Sequence, residues 1–164
     1  CRDFKRIIEY CSRADAFQDI PFALNDTYQV LDAAFPRSKF ILTVRDSSQE
    51  WFNSLVQFHS KKFASRKGML PTEADLQCAE YRYKGFLFDA HRLVYGKVDM
   101  YDREYYMADY EQHNACVMNY FRNRPNDLLL LNVKEKDAYG KLCVFLGKPV
   151  VNKPLPWKNK TSDI

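Results

Sequence analysis

The sequence predicts an α/β domain in which a parallel sheet is flanked by helices, and three observations point there. Apolar runs of strand length alternate with stretches of helical period, the order that lays strands side by side and covers them with helices. The run Lys39-Phe40-Ile41-Leu42-Thr43-Val44 ends abruptly at Arg45, and Ser47-Ser48-Gln49-Glu50 then forms a capping-box pattern opening a helix. The run Leu128 to Val133 is continuously apolar, as expected of a strand buried on both faces.

The elements follow in order. Phe4, Ile7, Ile8 and Cys11 share one face, so residues 3–13 form a short amphipathic helix. Ala14 to Asp19 is a strand candidate that stops at Ile20-Pro21, and a helix follows from about Asn25 to Phe35, where Pro36 breaks it. The Lys39–Arg45 strand comes next. The helix opened by Ser47 runs to about Ser65, with Phe52, Leu55, Val56, His59 and Phe63 along one stripe. Pro71 and Thr72 start a helix reaching to near Gly96, a fitting C-terminal glycine. Asp102 caps a long helix that stops at Arg124-Pro125. After the Leu128–Val133 strand, Asp137 to Leu146 is the last helix, closed by Gly147. Three strands are few for such a sheet, so at least one more is expected from outside this chain.

The bulk properties narrow the function classes. The 164 residues suit one domain, residues 1–164, with a sizeable core. The formal charge of +4 is mild and the cations are interspersed with acids, so no nucleic-acid surface is expected. Aromatics make up 15%, mostly at helical spacing, as core and helix-packing surface; the stretch Tyr81 to Tyr106 is expected to pack helices, with the lining of an acceptor pocket as the alternative for any exposed part. Cys1, Cys11, Cys78, Cys116 and Cys143 are odd in number and form no CxxC, as free thiols in a reducing, cytoplasmic compartment do. The chain starts at Cys1 without Met, so a leader to the Golgi lumen or elsewhere stays open. No stretch has membrane-spanning length and no membrane partner is expected. His59 and His91 lack metal-ligand spacing, so no metal is expected.

Ligands of open α/β sheets collect beyond the carboxyl ends of the strands, and a helix N-terminus adds N–H groups and a positive dipole end there. Arg45 stands at that junction, suited to grip a phosphate with its planar fork or, alternatively, to pair with a nearby carboxylate.

Longer stretches carry a family likeness. The series Asp19-Ile20-Pro21-Phe22, Phe35-Pro36-Arg37-Ser38 through Thr43-Val44-Arg45-Asp46, and Trp51-Phe52-Asn53-Ser54-Leu55 resembles the sulfotransferase family, most closely its bacterial-type branch of small proteins. The resemblance continues through Tyr110-Glu111-Gln112-His113-Asn114, Asn123-Arg124-Pro125-Asn126-Asp127 and Leu155-Pro156-Trp157-Lys158. It implies a three-layer, P-loop-like fold. The co-substrate it implies is 3′-phosphoadenosine 5′-phosphosulfate, whose sulfuryl group passes to an acceptor hydroxyl or amine on a small molecule or glycan. Arg45 and Ser54 match the residues that hold the donor's 3′-phosphate, with Ser54 nine residues on where the family has about eight. Ser47 and Ser48 are the alternatives. The tail Trp157 to Lys160, which joins an aromatic to two cations, is suited to close over the nucleotide with Lys158 as a further donor contact or, alternatively, to stand as a solvated terminus. Asp19, two residues before Pro21, matches the family's general base, with orientation of a backbone turn as its other role. His113 is next in line, although the stripe Tyr106, Tyr110, His113, Val117, Tyr120 suits a structural histidine.

One departure bears on activity. The family's Gly-rich 5′-phosphosulfate loop has no counterpart here, because the five glycines are isolated. Either that loop and its strand lie upstream of Cys1, as the missing strand favours, or the chain is a degenerate member of the family. Without them the groups that stabilise charge on the moving sulfuryl are lacking. Two alternatives therefore stand beside the enzyme: a module of the same fold that binds nucleotide or sulfated ligand without turnover, and a P-loop phosphotransferase fragment.

Overall fold

The computed structural model describes residues 2–151 and 153–156. Among the described residues, seven α-helices and two strands follow one another: α1 Phe4–Tyr10, α2 Thr27–Ala34, β1 Phe40–Val44, α3 Ser48–Phe63, α4 Glu73–Cys78, α5 Phe86–Tyr95, α6 Arg103–Tyr120, β2 Leu128–Asn132 and α7 Ala138–Phe145. The two strands pair in parallel, Phe40 beside Leu128 and Val44 beside Asn132. The result is a mixed α/β fold with a small parallel sheet between helices.

Alternation along the strands sorts the two faces. Phe40, Leu42 and Leu128 pack on Tyr28 of α2 and on Val117 and Phe121 at the end of α6. Leu129 and Leu131 alternate to the other side, where α7 lies against β2 and Leu131 and Ala138 are buried. A hydrogen-bonded ion pair locks the first layer. Asp32 of α2 receives both Nη atoms of Arg124 at 3.0 and 2.7 Å and the Tyr120 hydroxyl at 2.8 Å. The Arg124 guanidinium beside Asp32 holds that carboxyl below its ordinary range.

Three expectations are corrected. Ala14–Asp19 is not a strand, so the sheet has two strands among the described residues. That segment and its successor fold as turns, with Asp19 and Asp26 at left-handed φ of 63° and 65°. Phe17 packs on Tyr10 and Phe22, with ring centroids 5.9 and 4.9 Å apart. Burial of one aromatic against α1 thus replaces strand pairing. The helix expected over 71–96 is two helices. After α4 the chain extends at Ala79, Glu80 bridges to Lys84, and Gly85 turns at φ 85° before α5 begins. A Cβ at Gly85 would stand 3.3 Å from the Gln77 carbonyl oxygen, so the bend requires glycine. Nor is β2 buried on both faces, because Leu130 is 48% exposed at the sheet margin.

The long helices carry a layer of aromatic and imidazole rings. His91 is buried, donating from Nε2–H to the Val98 carbonyl at 2.9 Å and accepting from the Tyr106 hydroxyl at 2.6 Å. His59 Nδ1 and the Tyr101 hydroxyl share a hydrogen bond of 2.9 Å, and burial pushes the His59 pKa down to about 4 from 6.5. The folded state therefore binds fewer protons than the unfolded state between those values. The stability His59 confers is complete above pH 6.5 and is lost as pH falls towards 4, to a limit of about 3 kcal/mol at 1.36 kcal/mol per unit. Urea unfolding at pH 7 and pH 4.5 should show the loss, and His59→Phe should shrink it; an unchanged pH difference in that variant excludes His59 as its source.

Candidate functional site at the carboxyl end of the first strand

At the end of β1 the chain turns into α3 with Ser47 as N-cap, its Oγ accepting from the Glu50 N–H at 3.1 Å. The reciprocal half of the box is displaced by one residue. The Glu50 carboxylate accepts from the Asp46 N–H at 3.3 Å rather than from Ser47, and it also pairs with Lys134. Asn132, at the end of β2, donates to the Asp46 carboxylate, so the carboxyl ends of both strands are tied together.

The backbone N–H of Arg45 donates to the Tyr110 hydroxyl at 2.9 Å, joining the strand end to α6. The Arg45 guanidinium makes no ion pair or hydrogen bond among the described residues, so the alternative role of pairing a carboxylate is not taken up there. The three candidate serines differ in their commitments. Ser47 caps α3, and buried Ser48 donates to the Glu111 carboxylate. Ser54, two turns along α3 from the cap, has no hydrogen-bond partner for its hydroxyl among the described residues.

Beside this junction lies a cavity of about 340 Å³, open on one side. Trp51 of α3 and Tyr110 of α6 form one wall, stacked at 4.7 Å and 16°. Tyr95 of α5 lines it too, as do Asn25, Asp109 and His113. The sequence signals for this wall were partial: Tyr95 falls in the aromatic stretch for which pocket lining was the alternative role, whereas Asn25 carries no such sign.

His113 is the best-defined polar group here. Its Nδ1 lies 2.7 Å from the Asn25 side-chain oxygen, which accepts only, so Nδ1 carries the proton. Arg2 fixes the loop that presents Asn25, bonding to the Asn25 carbonyl and to the buried Thr27 hydroxyl at 2.8 Å. Burial pushes the His113 pKa down against the pull of Asp109 and Asp26, and burial likewise pushes the Asp109 carboxyl up.

Asp19 stands elsewhere. Its exposed carboxylate meets Arg82 at 3.5 Å, and its carbonyl accepts from the Ala23 N–H at 2.8 Å. It does not line the cavity, although Ala23, one turn on, does. Lys158 lies outside the described residues. Arg66-Lys67-Gly68 forms an exposed turn beyond α3, closed by Met69 N–H to the Arg66 carbonyl at 3.1 Å. Among the described residues no group of three or more His, Cys, Asp or Glu is placed to hold a metal. No helix there is long and apolar enough to cross a membrane.

The profile of the sulfotransferase domain family matches residues 2–164. The chain belongs to the sulfotransferase domain family. No curated protein and no solved structure matches it significantly. A parallel sheet between helices, with a site at the carboxyl end of β1, agrees with membership of that family. In this sulfotransferase domain the residues at the strand end are Arg45, Asp46 and Ser47, and those around the neighbouring cavity come from α3, α5, α6, the loop before α2 and Arg2 ahead of α1.

Proposed function

We propose that this domain transfers a sulfuryl group from 3′-phosphoadenosine 5′-phosphosulfate to a hydroxyl or amine of an acceptor. The single observation that carries the reading is Arg45 at a strand end: its guanidinium has no protein partner among the described residues, and its backbone N–H is held by Tyr110, which lines a cavity of about 340 Å³. A delocalised, planar cation so placed is suited to the donor's 3′-phosphate. Ser54 offers a second, uncommitted donor, and Lys158 is assigned to the donor from the composition of its tail, an aromatic with two cations. The cavity takes the acceptor. Its volume lies near the lower end for small-molecule sites, so the acceptor is a small molecule or one residue of a glycan. The resemblance nominates Asp19 as base. Cys11, Cys78, Cys116 and Cys143 are unpaired, which supports a reducing, cytoplasmic setting.

A second reading, a module that holds the nucleotide without turnover, draws on the isolation of all five glycines. Two measurements on the full-length protein separate the readings. Calorimetry should show 3′-phosphoadenosine 5′-phosphate binding more tightly than adenosine 5′-phosphate, and a radiolabelled sulfate-transfer assay with a panel of phenols, alcohols and amines should yield product. Binding without product makes the domain a nucleotide module. Equal affinity for the two nucleotides removes the donor assignment.

A further inference from the structure

We propose that His113 is the general base of this site, with Asn25 as the residue that positions it. The assignment rests on the sulfuryl-transfer reading and concerns which group receives the acceptor's proton. Three observations carry it. First, His113 lines the cavity, whereas Asp19 lies outside it with its carboxylate on Arg82. Second, the Asn25 oxygen accepts from Nδ1–H at 2.7 Å, which fixes the tautomer and leaves the Nε2 lone pair as the basic atom. No hydrogen bond engages that Nε2 among the described residues. A base oriented by a third group is the arrangement that activates a nucleophile. Third, His113 is one helical turn from Tyr110, whose hydroxyl holds the backbone of Arg45 at 2.9 Å. The proton acceptor and the strand end assigned to the donor are thus set by one rigid helix.

The step balances within those groups. As the acceptor oxygen forms its bond to sulfur, its proton passes to Nε2 and the imidazole becomes imidazolium. The bond from sulfur to the donor's 5′-phosphate oxygen breaks, its electron pair leaving on 3′-phosphoadenosine 5′-phosphate. The acceptor departs as a sulfate ester, and the imidazolium returns its proton to water through the open side of the cavity. Burial keeps His113 neutral near pH 7, as a base must be. The charged and titratable groups facing it are Asp109 on the same helix, Asp26 and Arg2 from the segments beneath, and the edge-on ring of Tyr28, with centroids 6.5 Å apart.

The test uses the full-length protein, labelled phosphoadenosine phosphosulfate and 2-naphthol as the acceptor probe. His113→Gln should lower turnover about 10²- to 10⁴-fold with nucleotide affinity unchanged. The wild-type profile of kcat/KM should rise with pH through an acidic limb set by a pKa below 6.5, and the limb should vanish in His113→Gln. Asp109→Asn removes a carboxylate that favours the imidazolium and should move the limb to lower pH, a shift that a purely structural role for His113 does not produce. Asn25→Ala, which frees the tautomer, should lower kcat without changing donor affinity. Turnover by His113→Gln within about threefold of wild type, or an acidic limb that persists in it, overturns the assignment and leaves the sulfotransferase reading standing. Wild-type protein that neither binds the nucleotide nor transfers sulfate to the probe overturns both.

Discussion

Arg45→Ala should abolish most of the preference for 3′-phosphoadenosine 5′-phosphate over adenosine 5′-phosphate while leaving the fold intact. The two nucleotides differ only in the 3′-phosphate, so the ratio of their affinities isolates the interaction assigned to the guanidinium. A charge-assisted hydrogen bond to phosphate contributes about 1.5–3 kcal/mol, a factor of roughly 10 to 150 in that ratio. The fold should survive because Arg45 holds the structure together through its main chain. Its N–H donates to the Tyr110 hydroxyl, and alanine keeps that N–H. Arg45→Lys should recover part of the preference as a point charge without the fork. Ser54→Ala should lose less than Arg45→Ala, since a neutral hydroxyl contributes about 1 kcal/mol. Calorimetry on the four proteins decides it. An unchanged ratio in Arg45→Ala moves the 3′-phosphate site elsewhere, and raised salt should compress the wild-type ratio as the interaction is screened.

The strand-turn-helix unit was the most legible part of the sequence because every level agreed there. The apolar run, the sudden Arg45 and the serine-initiated cap together produced β1, the turn and α3 within one or two residues of expectation. The Asp102 cap and α6 were legible for the same reason, the Asp102 carboxylate accepting from the Tyr105 N–H at 3.0 Å. Failures came where tertiary packing overrode a local pattern. Ala14 to Asp19 offers apolar residues at strand length, yet Phe17 gains more by packing on Tyr10 and Phe22 than a strand without a neighbour would supply. The break between α4 and α5 was written in Gly85, which hydrophobic periodicity does not register. The site divides in the same way. Arg45 could be read from its place at a strand end, whereas the meeting of Asn25 with His113, 88 positions apart, depends on how α2 and α6 pack.

Phe121→Ala tests that packing most severely and should cost about 3–5 kcal/mol of stability. Phe121 is 2% exposed and caps the end of α6. Its ring meets Phe40 and Tyr120 with centroids 4.9 Å away in each case, Tyr28 at 6.2 Å, and the Arg124 guanidinium at 4.9 Å. Truncation removes the transfer free energy of the ring and leaves a hole walled by aromatic and strand residues that cannot all collapse into it. The ring's aromatic and cation–π interactions contribute about 0.5–1.5 kcal/mol each, within that total rather than beyond it. For a domain stable by about 5–15 kcal/mol the loss is a large fraction, and a chain of this length should melt roughly 6–20 °C lower. Leu130→Ala is the control, since Leu130 is 48% exposed on the neighbouring strand and should cost well under about 1 kcal/mol. Denaturation followed by circular dichroism reads both. The functional consequence follows from position. Phe121 joins β1, which carries Arg45, to α6, which carries Tyr110 and His113, so at temperatures where the variant remains folded it should lose turnover before nucleotide affinity. A stability loss as small as that of Leu130→Ala would mean that α6 is not anchored to the sheet at Phe121.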